Sequence, residues 1–133
     1  MEQALARSAF MVATGLTLGE VSATRVTGTL ELGPDQHTPW RIVHGGVYAA
    51  VIETAASSGA SAAVEDRGMI AVGLTNTTQF LRSAVAGTAT VEAVAVHQGG
   101  TQQLWRAEVR DDRGRLLATG ELRLQNMELR PAG

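Results

Sequence analysis

The sequence predicts an α+β protein, in which one long helix near the N-terminus is followed by an antiparallel sheet. The first observation is the segment of residues 43–64, whose apolar side chains recur at helical spacing. The second is a series of four strand-like runs after a break at residues 65–68, with glycine in the turns between them. We expect such a sheet to cover the helix with one face.

The region before the long helix predicts a short amphipathic helix at residues 2–12 and strand structure at residues 17–32. Within that strand region the alternating face changes near residues 25–26, and Gly33-Pro34-Asp35 ends it. Residues 36–42 are predicted to form a loop, and the long helix is expected over residues 45–65.

Four strands are predicted after the helix, at residues 69–81, 87–98, 103–111 and 116–127. In the second of them, Val91, Ala93 and Ala95 alternate with Glu92, Val94 and Val96. The latter set is only partly polar, so the outer face of the sheet is not fully solvated. We therefore infer a partner surface and an oligomer.

Length and composition restrict the function further. The 133 residues are expected to form one domain, with residues 1–14 as an N-terminal helix or extension and residues 15–127 as the core. A net charge of −2 argues against nucleic acid as a partner. There is no cysteine, and three histidines without ligand spacing predict no metal site. The N-terminus lacks a secretion signal, so a cytoplasmic protein is expected.

The apolar segment of residues 43–64 is long enough to be tested as a membrane span. Small and polar residues dominate it and Glu53 lies at its centre, so we expect a helix packed closely against a sheet and no membrane contact. All eleven basic residues are arginine, which fits either coding bias or anion recognition by one or two of them.

Glu53 is the only fully charged side chain in residues 43–64, nine positions after the histidine of His44-Gly45-Gly46. An isolated carboxylate is costly to bury in an apolar environment, so its presence predicts a function. The glycines expose backbone N–H groups at the predicted helix start. A carboxylate and free N–H donors are the groups that acyl-transfer chemistry needs.

These residues also resemble a known family. The strings HGGVYAAVIETAASSGA, GMIAVGLTNTTQFLR and VHQGGTQQLWRAEVRDDRGRLLA are similar to the hotdog-fold acyl-CoA thioesterases. The resemblance is to the branch with the phenylacetic-acid-degradation (PaaI-like) and Arthrobacter-type 4-hydroxybenzoyl-CoA thioesterases, and it covers residues 15–127. It implies a helix wrapped by a curved antiparallel sheet, two subunits paired edge to edge, and a homodimer that pairs again into a homotetramer.

The resemblance implies a thioester hydrolase that needs no cofactor, because coenzyme A is part of the substrate. The Gly45 N–H would bind the thioester carbonyl, and Glu53 of the neighbouring subunit would act as nucleophile or as general base. Eight residues separate the two along one helix, about 12 Å at the α-helical rise, so a shared site demands a dimer. Ser57 would assist the carboxylate, or serve only as a small packing residue.

Other site residues follow from the same resemblance. His44 would orient the loop by hydrogen bonding. The family has asparagine or glutamine where this chain has Thr38, and glycine where it has Arg41, so the second polar contact to the substrate rests on Thr38. Candidate substrate contacts are Gly46, Asn76, Arg82, Gly100, Thr101 and Arg130. Asn76 would line the acyl pocket or satisfy a backbone group. For Arg82 and Arg130, the alternative to a substrate contact is ordinary surface charge.

Three functions follow from these observations. The first is hydrolysis of an acyl-CoA, with aryl-acyl groups such as phenylacetyl, hydroxybenzoyl or dihydroxynaphthoyl favoured by the branch. The second is a hydratase or dehydratase on the same fold, whose histidine and carboxylate spacing is not found here. The third is a non-catalytic module that binds acyl-CoA or a protein, which the departures at Thr38 and Arg41 keep open.

Overall fold

The computed structural model of the chain describes residues 8–129. In chain order its elements are α1 (Ala9–Thr14), β1 (Leu16–Val21), β2 (Arg25–Leu32), α2 (Gly45–Val64), β3 (Met69–Phe80), β4 (Gly87–Gln98), β5 (Gln102–Arg110) and β6 (Leu116–Glu128). Short 3-10 turns at Pro34–Gln36 and Glu65–Arg67 lie before and after α2.

The six strands form one antiparallel sheet in the order β1-β2-β4-β5-β6-β3. The last three strands of the chain follow one another as a meander, and β3 pairs with β6 at one edge. The predicted α+β class is confirmed: one long helix packs on one face of an antiparallel sheet.

The core lies between α2 and the sheet. The buried residues of α2 are Tyr48, Val51, Ile52, Ala55, Ala56, Ser58, Gly59, Ala60 and Val64. A Cβ added at Gly59 would meet Trp105 at 2.4 Å, and one added at Gly120 would meet Ile52 at 2.9 Å. Small residues are therefore required where the helix and the sheet approach most closely, as the composition of residues 43–64 predicts.

The first strand region differs from its prediction, because residues 17–32 form two strands and not one. Ser22 closes a tight turn by donating its N–H to the Arg25 carbonyl at 2.9 Å, while its hydroxyl accepts from the Arg25 N–H at 3.0 Å. The change of alternating face at residues 25–26 marks the start of β2. Periodicity alone does not distinguish such a strand boundary from an irregularity within one strand.

Part of the predicted N-terminal helix lies in the described residues, as α1. α1 begins after Ser8, whose hydroxyl accepts from the Met11 N–H, and ends at Gly15, which has a φ of +74°. It extends two residues beyond the predicted end at residue 12, while residues 2–7 of the prediction lie outside the described range.

β3 is the edge strand next to α2. It pairs with β6 over its whole length, from Met69 opposite Glu128 to Phe80 opposite Ala118, and no other strand of residues 8–129 pairs with its second edge. Its exposed apolar side chains are Val72, Leu74 and Phe80, at 40%, 51% and 58% of their full exposure. A long apolar edge of this kind is a template for pairing with another strand.

Candidate active site

The start of α2 is fixed by His44. This residue is the N-cap, and its ring Nδ1 accepts a hydrogen bond from the Gly46 N–H at 2.8 Å. Because Nδ1 accepts, the ring proton of a neutral His44 is on Nε2. A Cβ at residue 46 would lie 2.9 Å from Nδ1, so glycine permits this cap. The predicted orienting role of His44 agrees with this contact.

Gly45 leaves its N–H group free. The N–H of Gly46 is held by His44, and that of Val47 donates to the His44 carbonyl at 3.0 Å. The Gly45 N–H has no acceptor within residues 8–129. The ring of Phe80 lies over this residue, since a Cβ added at Gly45 would meet it at 3.0 Å. One unpaired donor therefore remains at the positive end of the helix dipole, as an oxyanion site requires.

Glu53 is exposed in this chain, so its place in an apolar segment carries no burial cost here. The side chain lies against β3, where a Cβ added at Gly73 would be 3.7 Å from its carboxylate carbon. No strand within residues 8–129 extends the sheet beyond β3, so the carboxylate faces solvent. It accepts no hydrogen bond from the described residues, which leaves both oxygens available.

Gly45 and Glu53 lie on one uninterrupted helix, so the separation of about 12 Å along its axis stands. A single chain does not bring them to one reacting carbonyl. Ser57 follows Glu53 by one turn, is half-buried, and has no hydrogen-bond partner within residues 8–129. The neighbouring Ser58 differs, because it donates to the Thr54 carbonyl at 2.7 Å.

Thr38 begins a tight turn before the histidine. Its hydroxyl accepts from the Trp40 N–H at 3.2 Å, and its carbonyl accepts from the Arg41 N–H at 3.0 Å. The nearby polar side chains are occupied: Gln36 donates to the Thr14 carbonyl at 2.8 Å, and His37 Nε2 lies 2.6 Å from the Val85 carbonyl. Neither side chain is free to replace the amide that the resemblance expects at Thr38.

Arg41 has a φ of 62°, the left-handed conformation that glycine adopts most easily. It is the only non-glycine residue of residues 8–129 with a positive φ. The glycine expected here by resemblance therefore has a conformational reason, and this chain places a strained arginine in its stead.

Asn76 satisfies a backbone group. Its side-chain amide donates to the Ala49 carbonyl at 3.0 Å and accepts from the Thr78 hydroxyl at 2.7 Å. Of the two roles predicted for it, the structural one is observed in this chain.

The predicted coenzyme A contacts fall at opposite ends of α2. Arg82 follows the strand that ends beside Gly45, and its guanidinium has no acidic partner within residues 8–129. Gly100 and Thr101 lie in the β4–β5 turn beyond the other end, where Arg67 donates to the Gly100 carbonyl at 3.2 Å. The twenty residues of α2 span about 30 Å, so one chain does not unite both groups around Gly45. Arg130 lies outside the described residues.

The chain matches a known protein family in sequence. The sequence pattern described as Thioesterase superfamily matches residues 41–118. The chain belongs to the thioesterase superfamily.

Relatives of this thioesterase-superfamily chain agree in sequence and fold. A Mycobacterium tuberculosis protein named "Putative esterase" is 39% identical over 119 residues, 88% of this chain and 85% of the relative. Its solved structure has a TM-score of 0.88 at 38% identity and covers 93% of this chain and 100% of the other. A Listeria monocytogenes protein named 1,4-dihydroxy-2-naphthoyl-CoA hydrolase is 33% identical over 103 residues, 77% of this chain and 83% of the relative.

The E. coli PaaI protein, from the phenylacetic acid degradation operon, has a TM-score of 0.82 and covers 94% of this chain and 88% of its own. At 20% identity this likeness concerns the fold alone. The hotdog fold, the recognised family and the class of thioester hydrolase are thus confirmed.

Two features near Gly45 had no clear signal in the sequence. Tyr48 lies one turn after Gly45, is 3% exposed, and its hydroxyl is the only buried side-chain polar atom of residues 8–129 without a partner. Burial raises the pKa of this phenol. Phe80, which covers Gly45, was visible only as part of a strand.

Within residues 8–129, no helix combines the length and apolar character needed to span a membrane, and no acidic or histidine cluster suited to a metal is found.

Proposed function

We propose that this chain hydrolyses acyl-CoA thioesters, with the Gly45 N–H as oxyanion donor and Glu53 as the reacting carboxylate. The observation that carries the proposal is that, within residues 8–129, neither the Gly45 N–H at the start of α2 nor Glu53, the only carboxylate of that helix, has a hydrogen-bond partner. Both groups are free where chemistry would use them.

The donor suits the charge that forms in the reaction. When a nucleophile adds to the thioester carbon, the carbonyl oxygen becomes an oxyanion. A preorganised backbone N–H at a helix N-terminus stabilises that charge through its hydrogen bond and through the helix dipole. The His44 cap supports this role, because it holds the Gly46 N–H and thereby fixes the backbone beside the donor.

Two reaction routes are open to Glu53 in thioester hydrolysis. As a general base it removes a proton from water, the hydroxide adds to the carbonyl carbon, and collapse of the intermediate breaks the C–S bond. As a nucleophile its oxygen adds directly, the C–S bond breaks to give an acyl-glutamyl anhydride, and water then hydrolyses the anhydride. In both routes the thiolate of coenzyme A leaves and takes up a proton. Ser57, one turn away with a free hydroxyl, is placed to hold the water.

The proposed site spans two subunits. One chain separates its donor and its carboxylate by about 12 Å, while β3 presents an unpaired apolar edge beside Glu53. Pairing of two β3 edges around a two-fold axis would continue the sheet and exchange the two groups reciprocally. We propose a homodimer on this basis and a further pairing into a homotetramer from the family resemblance.

The substrate follows from chemistry and kinship. No acidic side chain of the described residues pairs with the Arg82 guanidinium, which suits phosphate, so we assign it to coenzyme A. Gly100, Thr101 and Arg130 remain candidate contacts from a neighbouring chain. An aryl-acyl group is favoured by the kinship with the naphthoyl-CoA hydrolase. No cofactor is proposed, because the coenzyme enters as part of the substrate.

The test is a thiol-release assay over phenylacetyl-, hydroxybenzoyl-, short-chain and long-chain acyl-CoA. The proposal expects turnover, fastest with an aryl ester. Absence of thiol release from every ester, with the protein folded, would refute a hydrolase.

A non-catalytic acyl-CoA-binding module is the second candidate. One observation favours it: Thr38 stands where an amide is expected, and Gln36 and His37 are both tied to backbone groups. Binding of acyl-CoA without thiol release would select this alternative. Loss of enoyl absorbance from an enoyl-CoA would instead identify a hydratase.

A further inference from the structure

Trp40 is held on the outside of a rigid turn. Its ring is 82% exposed, the highest value among the large exposed apolar side chains of residues 8–129. The turn is closed by the Thr38 N–H donating to the Ile42 carbonyl at 2.8 Å and by the two bonds to Thr38 described above. These bonds hold the backbone that carries an exposed indole, and an exposed aromatic face is the surface on which a nucleotide base stacks.

The two chain segments that meet at this turn carry arginine and no acidic residue, although the protein as a whole is acidic. Residues 36–52 and 73–91 contain no aspartate or glutamate, and the first segment carries Arg41 while the second carries Arg82. The two segments join where the Val43 N–H donates to the Ala84 carbonyl at 2.8 Å. Neither guanidinium has a partner within residues 8–129, so both are available to an anion.

Arg41 occupies a strained backbone position, and strain of about 1–3 kcal/mol is retained most often at ligand sites. Its side chain is exposed, so burial does not explain the choice of arginine over glycine. A phosphate ligand would explain it, because the planar guanidinium binds phosphate oxygens in pairs.

The distances are compatible with a single ligand. Roughly thirteen bonds separate the sulfur of coenzyme A from its first phosphorus, at most about 16 Å at ~3.6 Å per three bonds. Trp40 precedes Gly45 by five residues, which span at most about 18 Å. A thioester carbonyl at Gly45 therefore allows the nucleotide to reach Trp40 and Arg41 of the same chain.

We propose that Trp40 and Arg41 form the binding site for the nucleotide of coenzyme A, with the indole stacked on adenine and Arg41 sharing the phosphates with Arg82. This inference rests on the proposed function for its substrate. It assigns the nucleotide to the turn before His44 and gives a reason for an arginine in a left-handed conformation.

Tryptophan fluorescence tests the stacking directly. The chain has two tryptophans, and Trp105 is fully buried, so Trp40 alone contributes the red-shifted emission. Coenzyme A and adenosine 3′,5′-bisphosphate should quench that emission, pantetheine should not, and Trp40→Phe should remove the red-shifted band. Equal quenching by pantetheine, or no quenching by coenzyme A, would overturn the stacking. So would a blue-shifted Trp40 that iodide does not reach, which would show that a second copy of the chain covers it.

Kinetics test the same site by comparing a coenzyme A ester with its N-acetylcysteamine analogue, which lacks the nucleotide. Trp40→Ala and Arg41→Ala should each raise KM for the coenzyme A ester by about tenfold, with kcat little changed. The truncated ester should be unaffected, and Trp40→Phe should restore most of the loss. Arg123→Ala, six residues further along β6 from the Leu117 carbonyl that accepts from Arg82, serves as the charge control. Equal effects on both esters, or none on either, would overturn the inference. If the wild-type protein releases thiol from neither ester, the proposed hydrolysis has failed, and the quenching experiment still decides whether the nucleotide binds.

Discussion

At the N-terminal end of α2 polar groups are left without partners, whereas at its C-terminal end they are fully used. The first end has the free Gly45 N–H and the buried, unpaired Tyr48 hydroxyl. The second end has buried Gln103, which donates to the Ala60 carbonyl at 2.9 Å and to Asn126 Oδ1 at 2.8 Å, and accepts from Trp105 Nε1 at 2.9 Å. Asn126 in turn donates to the Gly100 carbonyl at 3.2 Å.

This difference separates stability from chemistry. A satisfied buried network fixes the helix, the sheet and the β4–β5 turn to one another, and removing a partner leaves buried groups unpaired. Unpaired groups cost stability, and a fold retains them where a ligand completes the bonding. We therefore expect substitutions at the N-terminal end and at Glu53 to change activity more than stability, and substitutions in the Gln103 network to do the reverse.

The largest expected effect is at Glu53. Glu53→Gln keeps the size and polarity of the side chain but removes its basicity and nucleophilicity, so kcat/KM should fall about 10²–10⁴-fold. Thiol release and circular dichroism measure activity and fold together. Glu65→Gln, at the exposed turn that follows α2, is the matched control and should stay within twofold of wild type. Activity of Glu53→Gln within threefold of wild type would contradict the assignment.

The next largest effect is expected at Gly45, where a substitution can remove the backbone N–H and keep the helix. Proline is tolerated at the first residue of a helix, and His44 already has the extended conformation that proline requires before it. Gly45→Pro should therefore remove the N–H and keep the helix, with a loss of about 10²–10³ in kcat. Gly45→Ala places a Cβ against the same exposed Phe80 ring but keeps the donor. If both variants lose activity equally, contact with Phe80 and not the donor explains the loss.

The opposite end of the helix should respond in stability. Gln103→Leu leaves the Trp105 Nε1–H and Asn126 Oδ1 without partners among the described residues, which should lower the free energy of unfolding by about 2–3 kcal/mol. Urea denaturation measures this, and hydrolysis of the truncated ester below the transition should keep its wild-type kcat. Gln102→Leu, whose side chain donates to Gln125 alone, is the control and should cost under about 1 kcal/mol. A larger effect on kcat than on stability would remove the distinction between the two ends.

The smallest effect is a gain at Arg41. Arg41→Gly relieves a left-handed conformation and should raise the free energy of unfolding by up to about 1 kcal/mol. Arg41→Ala removes the same charge but keeps a Cβ, so it should not be stabilising. Denaturant midpoints compare the two variants. Equal stabilisation by both would point to charge repulsion, and strain would then not explain the gain.

Much of the scaffold was predictable from the sequence, and the reasons are local. Gly87–Gln98 matches its predicted bounds, and α2 begins at Gly45 as predicted, because glycine-rich turns and a histidine cap mark those ends in the sequence. The exposure of Glu53 was not predictable from composition, since it depends on which side of α2 lies at the open edge of the sheet. The positive φ of Arg41 was not predictable either, because the residue type gives no sign of a left-handed backbone.

The residues of the candidate site also fall into two groups, those identified from the sequence and those whose position depends on the fold. Glu53 was singled out because it is the only charged side chain of residues 43–64, whereas the roles of His44 and Gly45 came from the family resemblance. The position of Gly100 and Thr101 beyond the far end of α2 depends on strand order, which periodicity does not encode. Whether these residues join Gly45 in one site depends on a second chain.

Subunit complementation tests the central claim most directly. Coexpression of a Glu53→Gln chain with a Gly45→Pro chain gives hybrid dimers in which one site has both functional groups and the other has neither. Since a two-fold interface pairs each chain reciprocally, random mixing should restore about a quarter of the wild-type thiol release, from parents that are each nearly inactive. Mixtures no more active than the two parents, with hybrid dimers present, would contradict a site built from Gly45 of one chain and Glu53 of the other.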